Sequence, residues 1–146
     1  MTEKKILVVC SSNSIRSQIA EGFFKHFCNN SIEVMSAGIQ ASYVHPLAIA
    51  VMQEKAIDLS QQTSTDIRDL LNIHFDYVIT VCENAKKLCP QFSNNTVTEH
   101  WDIRDPSAVS GDNEAIMRSF REVRDDIEKR VLTFLYQNNL IAKSES

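Results

Sequence analysis

The chain has 146 residues, of which 43% are hydrophobic and 23% are charged, and its formal net charge is −4. This composition predicts one globular domain over residues 1–146 and excludes a disordered or collagen-like chain. The acidic balance disfavours nucleic-acid and anionic-membrane partners, although a local anion site is compatible with it. Three glycines and three prolines are too few for an all-β protein rich in tight turns.

The sequence predicts a cytoplasmic protein. No apolar run approaches the roughly 20 residues of a membrane-spanning helix, and the first apolar stretch, Ile6 to Val9, is too short for a signal peptide. In the cytosol, cysteines are more often catalytic, redox-active or metal-binding than paired in structural disulfides. The chain has four: Cys10, Cys28, Cys82 and Cys89.

Strand and helix patterns alternate along the chain. Apolar, β-branched runs predict strands at residues 6–9, 33–36, 75–81 and 96–100, and helical spacing of apolar residues fills the intervals between them. The predicted helices are one carrying Ile15, Ile19, Phe23 and Phe27, one beginning near Pro46, one capped by Thr63, Ser64 or Thr65, and a long one from Ile116 to Phe134. This alternation predicts an α/β fold with a four-stranded parallel sheet and helices on both faces.

The loop after the first strand has the pattern Cys-x5-Arg-Ser, from Cys10 to Ser17. Backbone N–H groups of such a loop, together with the start of the next helix, favour anion binding and a thiolate. Arg16 adds a planar fork for two oxygens of an oxyanion, Asn13 suits a left-handed turn, and Ser17 is placed to donate a hydrogen bond to the sulfur. The predicted loop is Ser11, Ser12, Asn13, Ser14, Ile15, Arg16 and Ser17, with Cys10 as the nucleophile.

A buried structural cysteine with a coincidental arginine is the alternative interpretation of this loop. The position of the motif, directly between an apolar strand and a periodic helix, favours the functional one. An oxyanion that loses an oxygen needs a proton donor, and Asp105 before Pro106 is the predicted general acid. Asp102 competes for that role, and a solvated Asp-Pro turn is the plain alternative.

Cys82 and Cys89 follow the third predicted strand, so Cys82 falls at the same sheet edge as Cys10. A helix between them would hold their Cα atoms about 10.5 Å apart. Because a disulfide needs about 4.4–6.8 Å, the pair could join only if that helix unwound. Lys86 and Lys87 are expected to favour a thiolate nearby.

Other readings of the cysteines and histidines stay open. Two buried core cysteines are possible at positions 82 and 89, whereas a zinc site is disfavoured because no Cys-x2-Cys occurs. Cys28 is expected in the core or at its boundary. The four histidines have no ligand spacing and are expected to be structural or solvent-facing.

The Cys10–Ser17 loop, the Ser36-Ala37-Gly38 segment and Asp105-Pro106 resemble the low-molecular-weight protein tyrosine phosphatase superfamily. With Cys82, Cys89 and His100-Trp101, the chain resembles the thioredoxin-coupled arsenate reductases built on that fold, from about Lys5 to Phe134. The resemblance implies the phosphotyrosine phosphatase I-like (flavodoxin-like) three-layer architecture.

The resemblance also implies a mechanism. Cys10 attacks arsenate held by Arg16, and Asp105 protonates the leaving oxygen. Cys82 then attacks Cys10 and releases arsenite, and Cys89 attacks Cys82 to give a Cys82–Cys89 disulfide that thioredoxin reduces. No metal or organic cofactor is implied. Some relatives bind potassium beside the loop, a site that Asn13, Glu21, Ser36 and Thr63 match, with Thr65 where an acidic ligand is expected.

Two departures from the family patterns are visible. Ser12 stands where the loop often has glycine, and Ser107-Ala108-Val109 follows the Asp-Pro where phosphatases usually carry aromatic residues. The second departure favours a small inorganic oxyanion over phosphotyrosine.

Two other function classes remain as alternatives to arsenate reduction. One is a low-molecular-weight phosphatase that hydrolyses phosphate monoesters through a Cys10 phosphoenzyme. The other is a non-enzymatic phosphate-binding, redox-sensing or phosphocarrier module, which Arg16 and Asp105 together argue against.

Overall fold

The computed structural model describes residues 4–142. Its strands are β1 (Lys4–Cys10), β2 (Ile32–Gly38), β3 (Tyr77–Thr80) and β4 (Val97–His100). Its α-helices are α1 (Arg16–Phe27), α2 (Pro46–Gln53), α3 (Glu83–Leu88) and α4 (Asn113–Gln137), and single 3-10 turns span Ile67–Leu70 and Pro106–Ala108.

The four strands form one sheet in the order β2-β1-β3-β4, and all three pairings are parallel. In β1, the consecutive residues Ile6, Leu7, Val8 and Val9 are all fully buried. Because successive side chains of a strand point to opposite faces, both faces of the central strand are covered. The predicted parallel α/β sheet is confirmed.

The helices cover the sheet through aromatic and aliphatic side chains. Phe23 and Phe24 of α1 and Phe120 of α4 are fully buried, and the Phe24 ring meets that of Trp101 at a centroid distance of 6.0 Å. Asp112 caps α4 by accepting a hydrogen bond from the Ala115 N–H at 2.9 Å. No helix within residues 4–142 is long and apolar enough to cross a membrane.

The prediction of a helix that begins at Thr63–Thr65 is wrong. The segment holds only one 3-10 turn, Ile67–Leu70, and its cap is Asp66. The reason is that Thr65 is already committed elsewhere: its N–H donates to Asn13 Oδ1 at 2.8 Å, and its carbonyl accepts from the Gly38 N–H at 2.8 Å. A residue tied into the sheet edge in this way is not free to begin a helix.

Two arginines of α4 hold the end of α2. Arg121 donates from Nε and Nη2 to the Glu54 carboxylate in three hydrogen bonds of 2.8–3.1 Å. Buried Arg124 donates to the Val51 carbonyl at 2.9 Å and to Glu54 at 2.7 Å. The hydrogen bonds from Arg121, and then those from Arg124, lower the pKa of Glu54 to about 2.

Candidate active site

The carboxyl ends of β1, β3 and β4 meet at one edge of the sheet. Val9 pairs with Thr80 and Thr80 pairs with His100, and the Val81 N–H donates to the Val9 carbonyl at 3.0 Å. Cys10 and Cys82 therefore leave neighbouring strands side by side, as strand order and parallel direction require.

The loop from Cys10 to Ser17 folds around the Cys10 sulfur, which is almost completely buried. The Asn13 N–H donates to Sγ at 3.2 Å, and the Ser17 hydroxyl lies 2.8 Å from Sγ. Asn13 has a φ of 51°, the left-handed conformation predicted for it, and this conformation turns its N–H inward. The Asn13 N–H and the Ser17 hydroxyl are therefore both directed at the one sulfur.

A polar chain behind the loop sets the direction of the Ser17 hydroxyl. The Asn13 side-chain amide donates both to Ser17 Oγ at 2.7 Å and to Ser36 Oγ at 2.9 Å. Ser36 in turn donates to the Glu21 carboxylate. Since Ser17 Oγ accepts from Asn13, its own proton is free to point at the Cys10 sulfur.

The loop also packs against the end of β2. The Ile39 N–H donates to the Cys10 carbonyl and the Gln40 N–H to the Ser11 carbonyl, both at 3.0 Å. A Cβ on Gly38 would lie 2.7 Å from the Asn13 nitrogen. The absence of a side chain at Gly38 is what allows the two backbones to approach so closely.

The residues matched to a potassium ion in some relatives lie together, but they do not fit the ion in this structure. Glu21 has one carboxylate oxygen occupied by Ser36 and the other by the Lys25 ammonium. The Thr63 carbonyl accepts from the Gln18 side chain at 3.0 Å. Within residues 4–142, no group of three or more acidic, histidine or cysteine residues is placed to hold a metal. Lys25 supplies the positive charge at this position.

A cavity of about 330 Å³ opens over the loop and brings Cys10, Arg16 and Asp105 together. Arg16 is held by a hydrogen bond from Nη1 to the Ile103 carbonyl at 2.9 Å. The Asp105 carboxylate is oriented by the Ser107 N–H and hydroxyl, at 2.9 and 2.7 Å. The competing acid, Asp102, is exposed and does not line this cavity.

Several residues of the cavity wall were not predicted from the sequence, among them Tyr43 and His45. His45 caps α2 through Nδ1, which accepts from the Leu47 N–H at 3.0 Å, and burial lowers its pKa while the Asp105 charge opposes that shift. The sequence did contain a signal for the capping role of His45, because His45 directly precedes Pro46, and proline is a favoured first residue of a helix. Tyr43 is 62% exposed at the mouth of the cavity, where no sequence pattern singles it out.

The second cysteine pair brackets α3. Cys82 is its N-cap, with Sγ accepting from the Ala85 N–H at 3.4 Å, and Cys89 is its C-cap. Cys82 Sγ also lies 3.2 Å from the hydroxyl of Ser11, the neighbour of Cys10 in the chain. All four cysteines are free, and an intact α3 keeps the Cα atoms of its two flanking cysteines about 10.5 Å apart.

Burial raises the pKa of two thiols, Cys89 and Cys28. It raises the pKa of Cys89 to about 11, which is opposite to the effect expected from Lys86 and Lys87. Both lysines are exposed, so water screens their charge while the sulfur stays partly desolvated. Cys28 is a core residue, as expected, and burial raises its pKa as well.

Comparison with known proteins places this architecture in a family. Residues 5–145 match the low molecular weight phosphotyrosine protein phosphatase family, and the chain belongs to it. An arsenate reductase of Halalkalibacterium halodurans is 42% identical over 134 residues, covering 92% of this chain and 96% of the relative. A glutaredoxin arsenate reductase of Synechocystis sp. is 40% identical over 140 residues, covering 96% and 98%.

A solved arsenate reductase in the phosphate-binding state has the same fold. It superposes with a TM-score of 0.76 at 37% identity and covers 92% of this chain and 98% of its own. The resemblance drawn from the sequence motifs is thereby confirmed at the level of the family and its arsenate reductase relatives.

Proposed function

We propose that the protein is an arsenate reductase in which Cys10, Cys82 and Cys89 act in series. The observation that carries the proposal is the position of two free thiols, Cys10 and Cys82, at the ends of neighbouring strands, with Ser11 bridging from the Cys10 loop to Cys82 Sγ at 3.2 Å. A third free thiol, Cys89, lies at the other end of α3. A simple phosphatase needs only the first of these thiols. The names of the relatives, at 40–42% identity over most of the chain, support the same activity.

The first step takes place in the cavity over the loop. Arsenate is bound by the Arg16 guanidinium and the inward-facing backbone N–H groups. The Cys10 thiolate forms a bond to arsenic while one arsenate oxygen leaves, and Asp105 supplies the proton with which that oxygen leaves as water. The cavity has a volume of about 330 Å³, which accommodates a tetrahedral oxyanion together with water.

The following steps are thiol–disulfide chemistry. Cys82 attacks Cys10 Sγ, and the electron pair of the sulfur–arsenic bond reduces As(V) to As(III), so that arsenite leaves and a Cys10–Cys82 disulfide remains. Cys89 then attacks Cys82, Cys10 departs as a thiolate, and a Cys82–Cys89 disulfide forms. Since that disulfide needs Cα atoms within about 6.8 Å, α3 unwinds in this step. The scheme needs no metal or organic cofactor.

An external dithiol closes the cycle by reducing the Cys82–Cys89 disulfide. We assign this role to thioredoxin. Glutaredoxin with glutathione is the competing donor, because one relative is a glutaredoxin arsenate reductase. Steady arsenate reduction with each donor in turn, at matched reducing equivalents, distinguishes the two. Turnover with glutaredoxin and glutathione alone would contradict the thioredoxin assignment and leave the reductase activity intact.

Serine variants of the cysteines test the series. Cys82→Ser should release no arsenite. Cys89→Ser should release about one arsenite per protein and then stop with Cys10 and Cys82 joined, which peptide mass mapping detects. Cys28→Ser is the matched control, because Cys28 is buried away from the site, and it should turn over steadily. Full steady turnover by Cys89→Ser would refute the series.

Hydrolysis of phosphate monoesters is the second candidate, and Tyr43 is the observation that favours it. Its exposed ring at the cavity mouth stacks on His45 with a centroid distance of 6.4 Å and an interplanar angle of 24°, a surface suited to an aryl group. A chromogenic aryl phosphate is the probe. Hydrolysis that disappears in Cys10→Ser, without any arsenate turnover, would favour the phosphatase and exclude a pure phosphocarrier.

A further inference from the structure

His100, the last residue of β4, lies between the sheet and the start of α3. Its Nδ1 is 2.7 Å from Thr80 Oγ1. Its Nε2 is the one buried side-chain nitrogen or oxygen without a hydrogen-bond partner in the described part of the chain, and it sits 3.8 Å from Glu83 Oε2. The expectation of a structural or solvent-facing histidine does not account for this unpaired nitrogen.

Leaving a buried polar atom without a partner is costly, so such atoms are rare and often serve a function. When the ring donates its Nδ1 proton to Thr80 Oγ1, Nε2 carries the lone pair. His100 therefore presents a shielded proton acceptor at the first residue of α3, next to the Cys82 cap.

The Cys89 thiol has to reach this same place to react. Cys89 and His100 line one cavity of about 480 Å³ beside α3. To form a bond with Cys82, the Cys89 sulfur moves from the end of α3 to its beginning. Thr80 pairs with His100 in the sheet register, and Cys82 follows Thr80 by two residues, so the arriving thiol comes to the region that Nε2 faces.

We propose that His100 is the proton acceptor for Cys89 in the second disulfide exchange, an inference that rests on the proposed function. As α3 unwinds, the Cys89 S–H proton passes to His100 Nε2. The Cys89 sulfur bonds to Cys82, the Cys10–Cys82 bond breaks, and Cys10 leaves with the electron pair as a thiolate. The new imidazolium then faces Glu83, an acceptor already within 3.8 Å.

A base is needed because the Cys89 thiol is hard to ionise where it starts, with a pKa raised to about 11 by burial. Glu83 Oε2 lies 3.8 Å from Nε2 of the His100 ring, and Lys86, Glu99 and Cys89 line the same cavity as His100. In this exchange a proton passes from the Cys89 thiol to the unpaired Nε2 of His100, and both residues line one cavity.

The test is a single turnover of the reduced full-length protein with arsenate and no external reductant. Acid quenching and peptide mass mapping follow the Cys10–Cys82 and Cys82–Cys89 disulfides separately. In His100→Gln, which keeps a polar group near the Nε2 position, we expect the second exchange to slow by about 100-fold or more. Its rate should also rise with pH more steeply than in the wild type.

His74→Asn is the matched control. His74 likewise has Nδ1 beside a hydroxyl, Ser93 Oγ at 3.3 Å, and Nε2 3.7 Å from a carboxylate, but it is exposed and does not line the cavity with Cys89. Its exchange rates should equal those of the wild type. Equal slowing of both exchanges in His100→Gln, or an unchanged second exchange, would overturn the inference while leaving the reductase proposal standing. Failure of the wild type to form any Cys82–Cys89 disulfide would overturn both.

Discussion

Replacing Gly38 with alanine tests whether the contact between β2 and the Cys10 loop holds the oxyanion site. The added Cβ would lie 2.6 Å from the Gln40 carbonyl oxygen, 2.7 Å from the Asn13 nitrogen and 2.8 Å from the Ser12 carbonyl carbon. All three are backbone atoms, so no side-chain rotation relieves the contact. The loop itself must move away, and it carries the Asn13 N–H that donates to Cys10 Sγ.

The expected magnitude follows from these distances. Real Cβ contacts essentially never fall below 3.0 Å, so each of the three backbone atoms must retreat by several tenths of an ångström. Overpacking of this kind costs about 1–3 kcal/mol of folding free energy. Because the displaced backbone forms the anion site, we expect phosphate affinity to fall by about 10-fold or more, the equivalent of about 1.4 kcal/mol.

The assay pairs urea unfolding with calorimetric titration of inorganic phosphate into the reduced protein. Gly22→Ala is the control: its Cβ would meet the side-chain ends Leu59 Cδ2 at 2.7 Å and Met52 Cε at 3.1 Å, which can rotate away. That variant should change stability and leave phosphate affinity as it is. Wild-type phosphate affinity in Gly38→Ala would refute the reasoning, because the loop would then hold its shape without the close approach.

Three further outcomes are expected. Since burial raises the pKa of Cys89 to about 11, its alkylation by iodoacetamide in the reduced protein should speed up about tenfold per pH unit from 7 to 10; a plateau by pH 8 in peptide mass mapping would contradict this. Lys25→Met should leave the Glu21 carboxylate without its cation, lowering the unfolding free energy by about 1–2 kcal/mol, and KCl should restore more of it than tetramethylammonium chloride, whereas the wild type should respond to both salts alike. The pKa of Glu54 lies at about 2 in the folded protein, below its usual 4.5, so its contribution to stability is present above pH 4.5 and is lost as the pH falls toward 2; Glu54→Gln should therefore have a shallower loss of thermal stability across that range, measured by circular dichroism.

Periodicity and composition were enough to predict the parallel sheet, because β1 and α4 carry local patterns strong enough to fix their own structure. The Cys10–Ser17 loop was equally readable, since the left-handed Asn13 and the spacing to Arg16 are local features. The absent helix after Thr65 was not, because Asn13 and Gly38 lie 52 and 27 residues away in the chain and no local pattern reveals that they bind Thr65.

The rest of the site depends on the fold as a whole. Tyr43 reaches the cavity only because the chain between β2 and α2 passes over the loop, where the His45 N–H donates to the Ser14 carbonyl at 3.0 Å. The neighbouring lysines misled the prediction for Cys89, because sequence reveals charge but not desolvation. No sequence pattern distinguishes His100 either, because its unpaired nitrogen beside Glu83 is created by the fold.

The helix α3 has a cysteine at each end, and its six-residue length has a consequence for the reductant of the proposed cycle. An intact helix and a bond between its two ends exclude each other geometrically. In the proposed cycle, the oxidation state of Cys82 and Cys89 therefore determines whether α3 is intact, and a reductant that recognises the unwound segment would bind the oxidised protein and pass over the reduced protein. Reduced molecules present in excess would then not compete with oxidised molecules for binding to that reductant.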